Sequence, residues 1–175
     1  MTLLKFPIVL IGIALSILIS GCSSNSASSA NANAFVAPNQ IEFNIETLDD
    51  INAYGDQQAR PIVIRIYQLS ESGVFENTEF LDLFSKDRES LAETLIDVTS
   101  LAPMLPGKVQ QLTLDVQQKS RFIAVLGEFA DYANAEVKAY VALVETPEKY
   151  PVYIRVSGKK IAISQPVDEA WWKVF

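Results

Sequence analysis

The chain has 175 residues, with 14 Lys and Arg against 21 Asp and Glu, one cysteine and no histidine. A net charge of −7 excludes phosphate-backbone recognition of nucleic acid, which needs basic side chains to displace counterions. It also gives no electrostatic pull toward anionic lipid headgroups. The absence of histidine removes Ser-His-Asp and Cys-His catalysis, imidazole metal ligands and histidine pH switching.

In chain order, Lys5 supplies a short basic segment, and Ile8 to Ile19 form an apolar run of about a dozen residues. That length suits a secretory h-region and falls short of the ~20 apolar residues that span a bilayer. Residues 1–21 therefore read as a signal peptide. The stretch Leu18-Ile19-Ser20-Gly21-Cys22 resembles the bacterial lipobox. The resemblance implies diacylglycerol on the Cys22 thiol, cleavage before it and acylation of the new amine. The alternative is ordinary cleavage nearby with a free thiol left behind, and no Ala-x-Ala site near Cys22 favours it. Two acyl chains hold a protein stably, each buried CH₂ contributing ~0.8 kcal/mol. In lipoproteins with such a lipobox an Asp after the cysteine signals inner-membrane retention; with Ser23 there instead, the resemblance implies sorting to the periplasmic face of the outer membrane.

Cleavage would remove Lys5 alone among the charges, leaving 13 basic and 21 acidic side chains, a net −8. With Cys22 lipidated, no thiol remains for a disulfide or a metal, and no cofactor is expected beyond the covalent lipid. The fold must then rest on its hydrophobic core, which ~135 folded residues suffice to build. Residues 22–38 are small and polar, a tether with too little apolar surface to offset ordering; it holds the domain ~25 Å from the lipid on average.

From residue 39 onward the pattern is mostly that of strands. Gln40 to Thr47 alternates strictly, with Ile41, Phe43 and Ile45 on one face and Glu42, Asn44 and Glu46 on the other; this is a half-buried strand. Pro61 opens a second, with Ile62, Ile64 and Ile66 inward and Arg65 and Tyr67 outward. The period then changes: Phe80, Leu81 and Phe84 predict a helix within an insertion over about 75–91. Asn77 is its candidate N-cap, and Ser85 to Leu91 a second short turn. Phe75, Phe80, Leu83 and Phe84 are its expected core-facing residues. Further strands are expected at Thr94–Ala102, Val109–Val116, Phe122–Phe129, Lys138–Val144, Val152–Val156 and Lys160–Ser164, with turns at Pro106-Gly107, Asp131–Asn134 and Ser157-Gly158. Eight strands argue for an all-β fold, a two-sheet antiparallel sandwich over residues 39–175 with a small helical insertion. Pro166 to Phe175 could add a short helix carrying Trp171 and Trp172, either packed back or touching a partner.

Arg60-Pro-Ile-Val-Ile-Arg-Ile-Tyr-Gln-Leu69, then Phe75 with Phe80-Leu-Asp-Leu83, then Leu105-Pro-Gly107 follow the lipobox and Ile51-Asn52 in order. This series resembles the type VI secretion lipoprotein TssJ family, over roughly Cys22 to Ser164. Past Val144 the match weakens, because Pro147-Glu-Lys-Tyr-Pro151 stands where the family often has a Trp-containing connection. The resemblance implies a transthyretin-like sandwich and no enzymatic activity. It implies docking from the outer membrane onto the periplasmic C-terminal domain of TssM, an inner-membrane protein, and through it an association with TssL. The family contact loop maps to Leu48–Ala59, giving Asp49, Asp50, Ile51, Asn52, Ala53, Tyr54, Gly55 and Asp56 as candidate partner-binding residues. In that loop Ile51 and Tyr54 would offer contact area and the three aspartates would steer a basic patch. A plain solvated loop is the alternative. A different function class, a small ligand or glycan in a sandwich cleft, would need Tyr132, Tyr140, Tyr150 and Tyr153 to converge.

Overall fold

The computed structural model describes residues 37–167. The signal segment, Cys22, the tether through Val36, and Trp171 with Trp172 lie outside the described residues. In order come β1 (Asn39–Thr47), β2 (Ile64–Leu69), α1 (Gly73–Asn77), α2 (Phe80–Leu91), β3 (Leu95–Ser100), β4 (Val109–Val116), β5 (Phe122–Gly127), β6 (Lys138–Ala142), β7 (Val152–Ser157) and β8 (Lys160–Ser164). The strands form two four-stranded sheets, β4-β1-β7-β8 and β3-β2-β5-β6. The eight-stranded, two-sheet sandwich with a helical insertion is thus the architecture found. One pairing departs from the antiparallel expectation: β7 runs parallel to β1, from Phe43 opposite Val152 to Thr47 opposite Val156. The cause is the crossover from β6, in the other sheet, which brings β7 in from the pole where β1 begins.

Alternation along β1 does what its sequence dictates. Ile41, Phe43 and Ile45 are fully buried and meet Ile64, Ile66, Ile123, Val125, Ile154 and Val156 between the sheets. The second expected strand starts later: Ile62 forms only an isolated bridge with Met104, and regular pairing begins at Ile64. Tyr67, Leu69, Ala124 and Leu126 project from the opposite face of their sheet and meet Phe75, Leu83 and Leu91 of the helices in a second core. The helices therefore seal the outer face of β3-β2-β5-β6.

Two expectations for this insertion change. Asn77 ends α1 and donates to the Gly73 carbonyl at 2.8 Å, so it caps nothing ahead of it; Glu79 occupies the N-cap of α2. Phe84 is 46% exposed, because α2 turns Leu83 inward and leaves Phe84 beneath the Arg65 guanidinium, 5.4 Å from its ring centre. The second short turn expected over Ser85 to Leu91 is present: Lys86 is non-helical, so α2 is two pieces meeting at a kink. Arg65 bonds Glu128 at 2.7 Å and Asp87 at 3.2 Å, tying the sheet to the helix.

The two ends of the sandwich differ. Asn39, where the tether joins, lies at one pole with the end of β8 at Ser164. β1 is 9 residues long, about 30 Å of extended chain. At the opposite pole gather the connections β1–β2, β3–β4, β5–β6 and β7–β8.

Candidate docking surface

The base of the β1–β2 connection is built into this far pole. Leu48 N–H donates to Val156 O at 2.9 Å, Asn52 N–H to Gly158 O at 2.9 Å and Arg60 N–H to Ile51 O at 3.1 Å. Ile51 is fully buried in the inter-sheet core and Asn52 is 5% exposed. Asn52 adopts a left-handed φ of 54°, which Asn tolerates better than most residues. Its side-chain amide donates to Pro61 O, and its side-chain carbonyl accepts the Ala130 N–H, both at 2.7 Å. Two acids close the base. Asp50 accepts the Gly158 N–H at 3.1 Å. Asp49 packs against Gly107, where a Cβ would sit 2.2 Å from its carboxylate and where φ is +66°, a conformation glycine adopts without steric cost.

Beyond this base the loop stands clear. Tyr54 is 56% exposed. Arg60 organises the tip, pairing Asp56 at 2.7 Å and donating to the Tyr54 and Gln58 carbonyls at 2.8 and 3.0 Å. The Gln58 N–H and then Arg60 hold the Asp56 carboxyl below its ordinary value. Beside the loop, Asp131 pairs with Lys159, which together with Asn134 depresses its pKa in the same way. The surface therefore sets an exposed tyrosine among Asp49, Asp50 and two acids, Asp56 and Asp131, that are paired with Arg60 and Lys159.

Two of the sequence-named candidates are corrected by this geometry. Ile51 offers no contact area, since its side chain is core, and Asn52 is spent on pinning the loop to the segments around Pro61 and Ala130. Asp49, Asp50, Tyr54, Gly55 and Asp56 are exposed and share one pole, with Ala53 half-buried. Sequence reasoning missed Leu105 and Val109, which are 53% and 73% exposed beside this loop. Val109 stands in phase with Gln111 and Thr113 on the wet face of β4, and that phase was the available signal.

The tyrosines of the cleft reading do not converge. Tyr132 stacks on Phe80 at 4.6 Å, and Tyr140 donates to Glu76 at 3.1 Å. Tyr153 lies on the outer face of the other sheet, in a broad open depression of ≈ 490 Å³ with Glu42, Asn44 and Arg155. Among the described residues, no group of three or more acids, histidines or cysteines could hold a metal, and no helix is long and apolar enough to cross a membrane.

The sequence model described as "Type VI secretion lipoprotein, VasD, EvfM, TssJ" matches residues 39–159, from the start of β1 to the β7–β8 turn. The chain belongs to this family. Its members are structural lipoproteins of the type VI secretion membrane complex and not enzymes. Solved structures agree on the fold. The lipoprotein TssJ1 from Pseudomonas aeruginosa superposes with a TM-score of 0.68 at 16% identity, over 75% of this chain and 98% of that one. Serratia marcescens Lip, a membrane-bound component of the type VI secretion system, gives 0.66 at 20% identity, over 75% and 99%. A chain in a structure of the TssM C-terminal domain (869–1107) from EAEC gives 0.62 at 21% identity, over 73% and 98%. No curated protein matches.

Proposed function

We propose that this family member is lipidated at Cys22, sits on the periplasmic face of the outer membrane, and uses its far pole to dock the periplasmic C-terminal domain of a TssM-type inner-membrane protein. It would thereby reach TssL indirectly. The carrying observation is the opposition of two features within one rigid sandwich: Asn39, where the tether arrives, and the loop bearing Tyr54 and Asp56. Because the chain enters the sandwich at Asn39, the opposite pole is the one left open to a protein partner. That a chain of this fold stands in a structure of a TssM C-terminal domain supports the partner. The role is mechanical, as a fixed point at one membrane and a grip on a protein anchored in the other. The chemistry of the pole suits a basic partner patch around an apolar centre, because Tyr54 supplies rigid amphipathic area and the aspartates steer approach.

Titration calorimetry tests it, with the chain from Ser23 onward and the soluble TssM C-terminal domain of the same bacterium. The double change Tyr54→Ala with Asp56→Asn should weaken binding about tenfold, a typical hot-spot effect. Unchanged affinity would remove the loop from the interface. Radiolabelled palmitate should enter the wild-type chain and not Cys22→Ser.

A further inference from the structure

The sandwich has four edge strands, β4 and β8 in one sheet and β3 and β6 in the other. Edges are templates for added strands, so proteins shorten, charge, bulge or cover them. Three of these four are guarded. β6 and β8 close on each other through Glu136 and Lys160, with Ile161 N–H donating to Glu136 O at 3.0 Å and Glu136 N–H to Lys159 O at 2.8 Å. β3 is short, and its register against β2 shifts between Gln68 and Leu69, a bulge that twists an edge away. β4 is different. Its 8 residues pair with β1 in unbroken register from Val109 to Val116, without Lys, Pro or bulge, and with Asp115 as the only charge.

Backbone parity identifies the free groups. Thr47 N–H donates to Lys108 O at 2.8 Å, so Lys108, Gln110, Leu112 and Leu114 turn their backbone toward β1. Val109, Gln111, Thr113 and Asp115 turn theirs away, by the alternation of antiparallel pairs. The Asp115 carbonyl confirms the parity, being taken from the far side by the Gln68 amide at 2.9 Å. Among the described residues, the N–H and C=O groups of Val109, Gln111 and Thr113 have no partner. A strand laid there would set one row of side chains against Leu112 and Leu114, which are half-buried at the rim of the inter-sheet core. Its other row would lie beside Gln111 and Thr113, next to Glu42 and Glu46. The slot starts at the far pole, where Leu105 and Val109 stand exposed beside Asp49.

We infer that the free edge of β4 is a strand-addition site, occupied by an extended segment of the docked partner in which apolar residues alternate with polar or basic ones. This rests on the docking reading above and names the form the partner takes. A second copy is the weaker occupant, because each mature chain carries −8 and like-charged chains repel.

Amide hydrogen exchange, read by NMR on the chain from Ser23 onward with and without the soluble TssM C-terminal domain, tests the inference. The amides of Val109, Gln111 and Thr113 should exchange freely in the isolated chain and slow by about 100-fold or more in the complex. Thr113→Pro removes an N–H that β1 does not use, and proline is tolerated on such an edge; it should weaken binding by about tenfold. The pair Gln111→Lys with Thr113→Lys keeps the backbone intact and should do the same. Binding with all three amides still exchanging freely overturns the inference and leaves docking intact. No binding by the wild-type chain overturns both. Protection that rises with the concentration of the isolated chain assigns the edge to a second copy and overturns the partner assignment.

Discussion

Asn52 and Ala130 are joined across the far pole: the buried asparagine carbonyl accepts the Ala130 N–H at 2.7 Å while the same side chain holds Pro61 O at 2.7 Å. One residue thus fixes the loop base, the entry to β2 and the β5–β6 connection. Asn52→Ala leaves a buried donor and a buried acceptor unpaired and forces alanine into φ 54°. The expected loss is about 2–4 kcal/mol in urea unfolding. Asn52→Gly relieves the backbone and should recover part of that loss. A cost below ~0.5 kcal/mol for Asn52→Ala, the scale of an ordinary surface change, would refute this role.

Ile51 and Tyr54 separate folding from binding within one loop. Ile51 is fully buried and Tyr54 is 56% exposed. Ile51→Ala opens a cavity and should cost about 2–5 kcal/mol, whereas Tyr54→Ala should stay within about ±0.5 kcal/mol. Partner affinity should follow the opposite order once each variant is held folded. Equal destabilisation by the two, measured by thermal melts, would contradict the burial.

Why Ile51 was misread shows where sequence runs out. An isoleucine between Asp-Asp and Asn-Ala, outside any alternating run, carries no local sign of burial; only the turn of the loop over the sheets takes it inside. β1 was legible because Ile41, Phe43 and Ile45 repeat every second residue. Its parallel partner was not, since the pairing of Phe43 with Val152 is decided by a distant crossover. Phe84 failed for a related reason: a short kinked helix gives too few turns to phase its stripe, and Arg65 supplies cover that a linear reading cannot place. At the far pole the exposed acids are visible in the sequence as a cluster, whereas Leu105 and Val109 join them only once the β3–β4 turn is set beside the loop.

The outward face of β2 carries a pH dependence. Burial, reinforced by the Asp87 carboxylate, pushes the Tyr67 phenol well above its ordinary value, and its hydroxyl donates to Asp87 at 3.2 Å. The folded chain therefore keeps this proton where an unfolded tyrosine, with a pKa of ~10, has lost its own. The unfolded state then binds fewer protons, so stability is fully present below pH ~10 and falls as the pH rises past it. Tyr67→Phe should start lower, having lost the Asp87 bond, and show a flatter alkaline decline. Urea midpoints at pH 8 and pH 11 measure this, and parallel declines in the two proteins would exclude Tyr67 as the source.

Lys138 holds α1 in place. Its ammonium donates to the carbonyls of Phe75, Glu76 and Thr78 at 3.1, 2.7 and 2.6 Å. These groups stand at the C-terminal end of a 5-residue helix, where unsatisfied carbonyls and the negative end of the helix dipole favour a cation. A helix so short does not stand alone in water; Phe75 buried against Tyr67, with ring centres 5.4 Å apart, is its other fastening. Desolvation of the ammonium lowers the Lys138 pKa, with Glu79 and Glu76 opposing, so the burial cost offsets part of what the three bonds supply. Lys138→Met keeps the packing of the stem and removes every donor. The expected net loss is about 1–2 kcal/mol, concentrated in α1: the Thr78 N–H, bonded to Val74 O at 3.0 Å, should exchange faster while the β1 amides hardly change. Equal acceleration across both would mean that Lys138 supports the whole sandwich, and no change at Thr78 would mean that Phe75 alone anchors the helix.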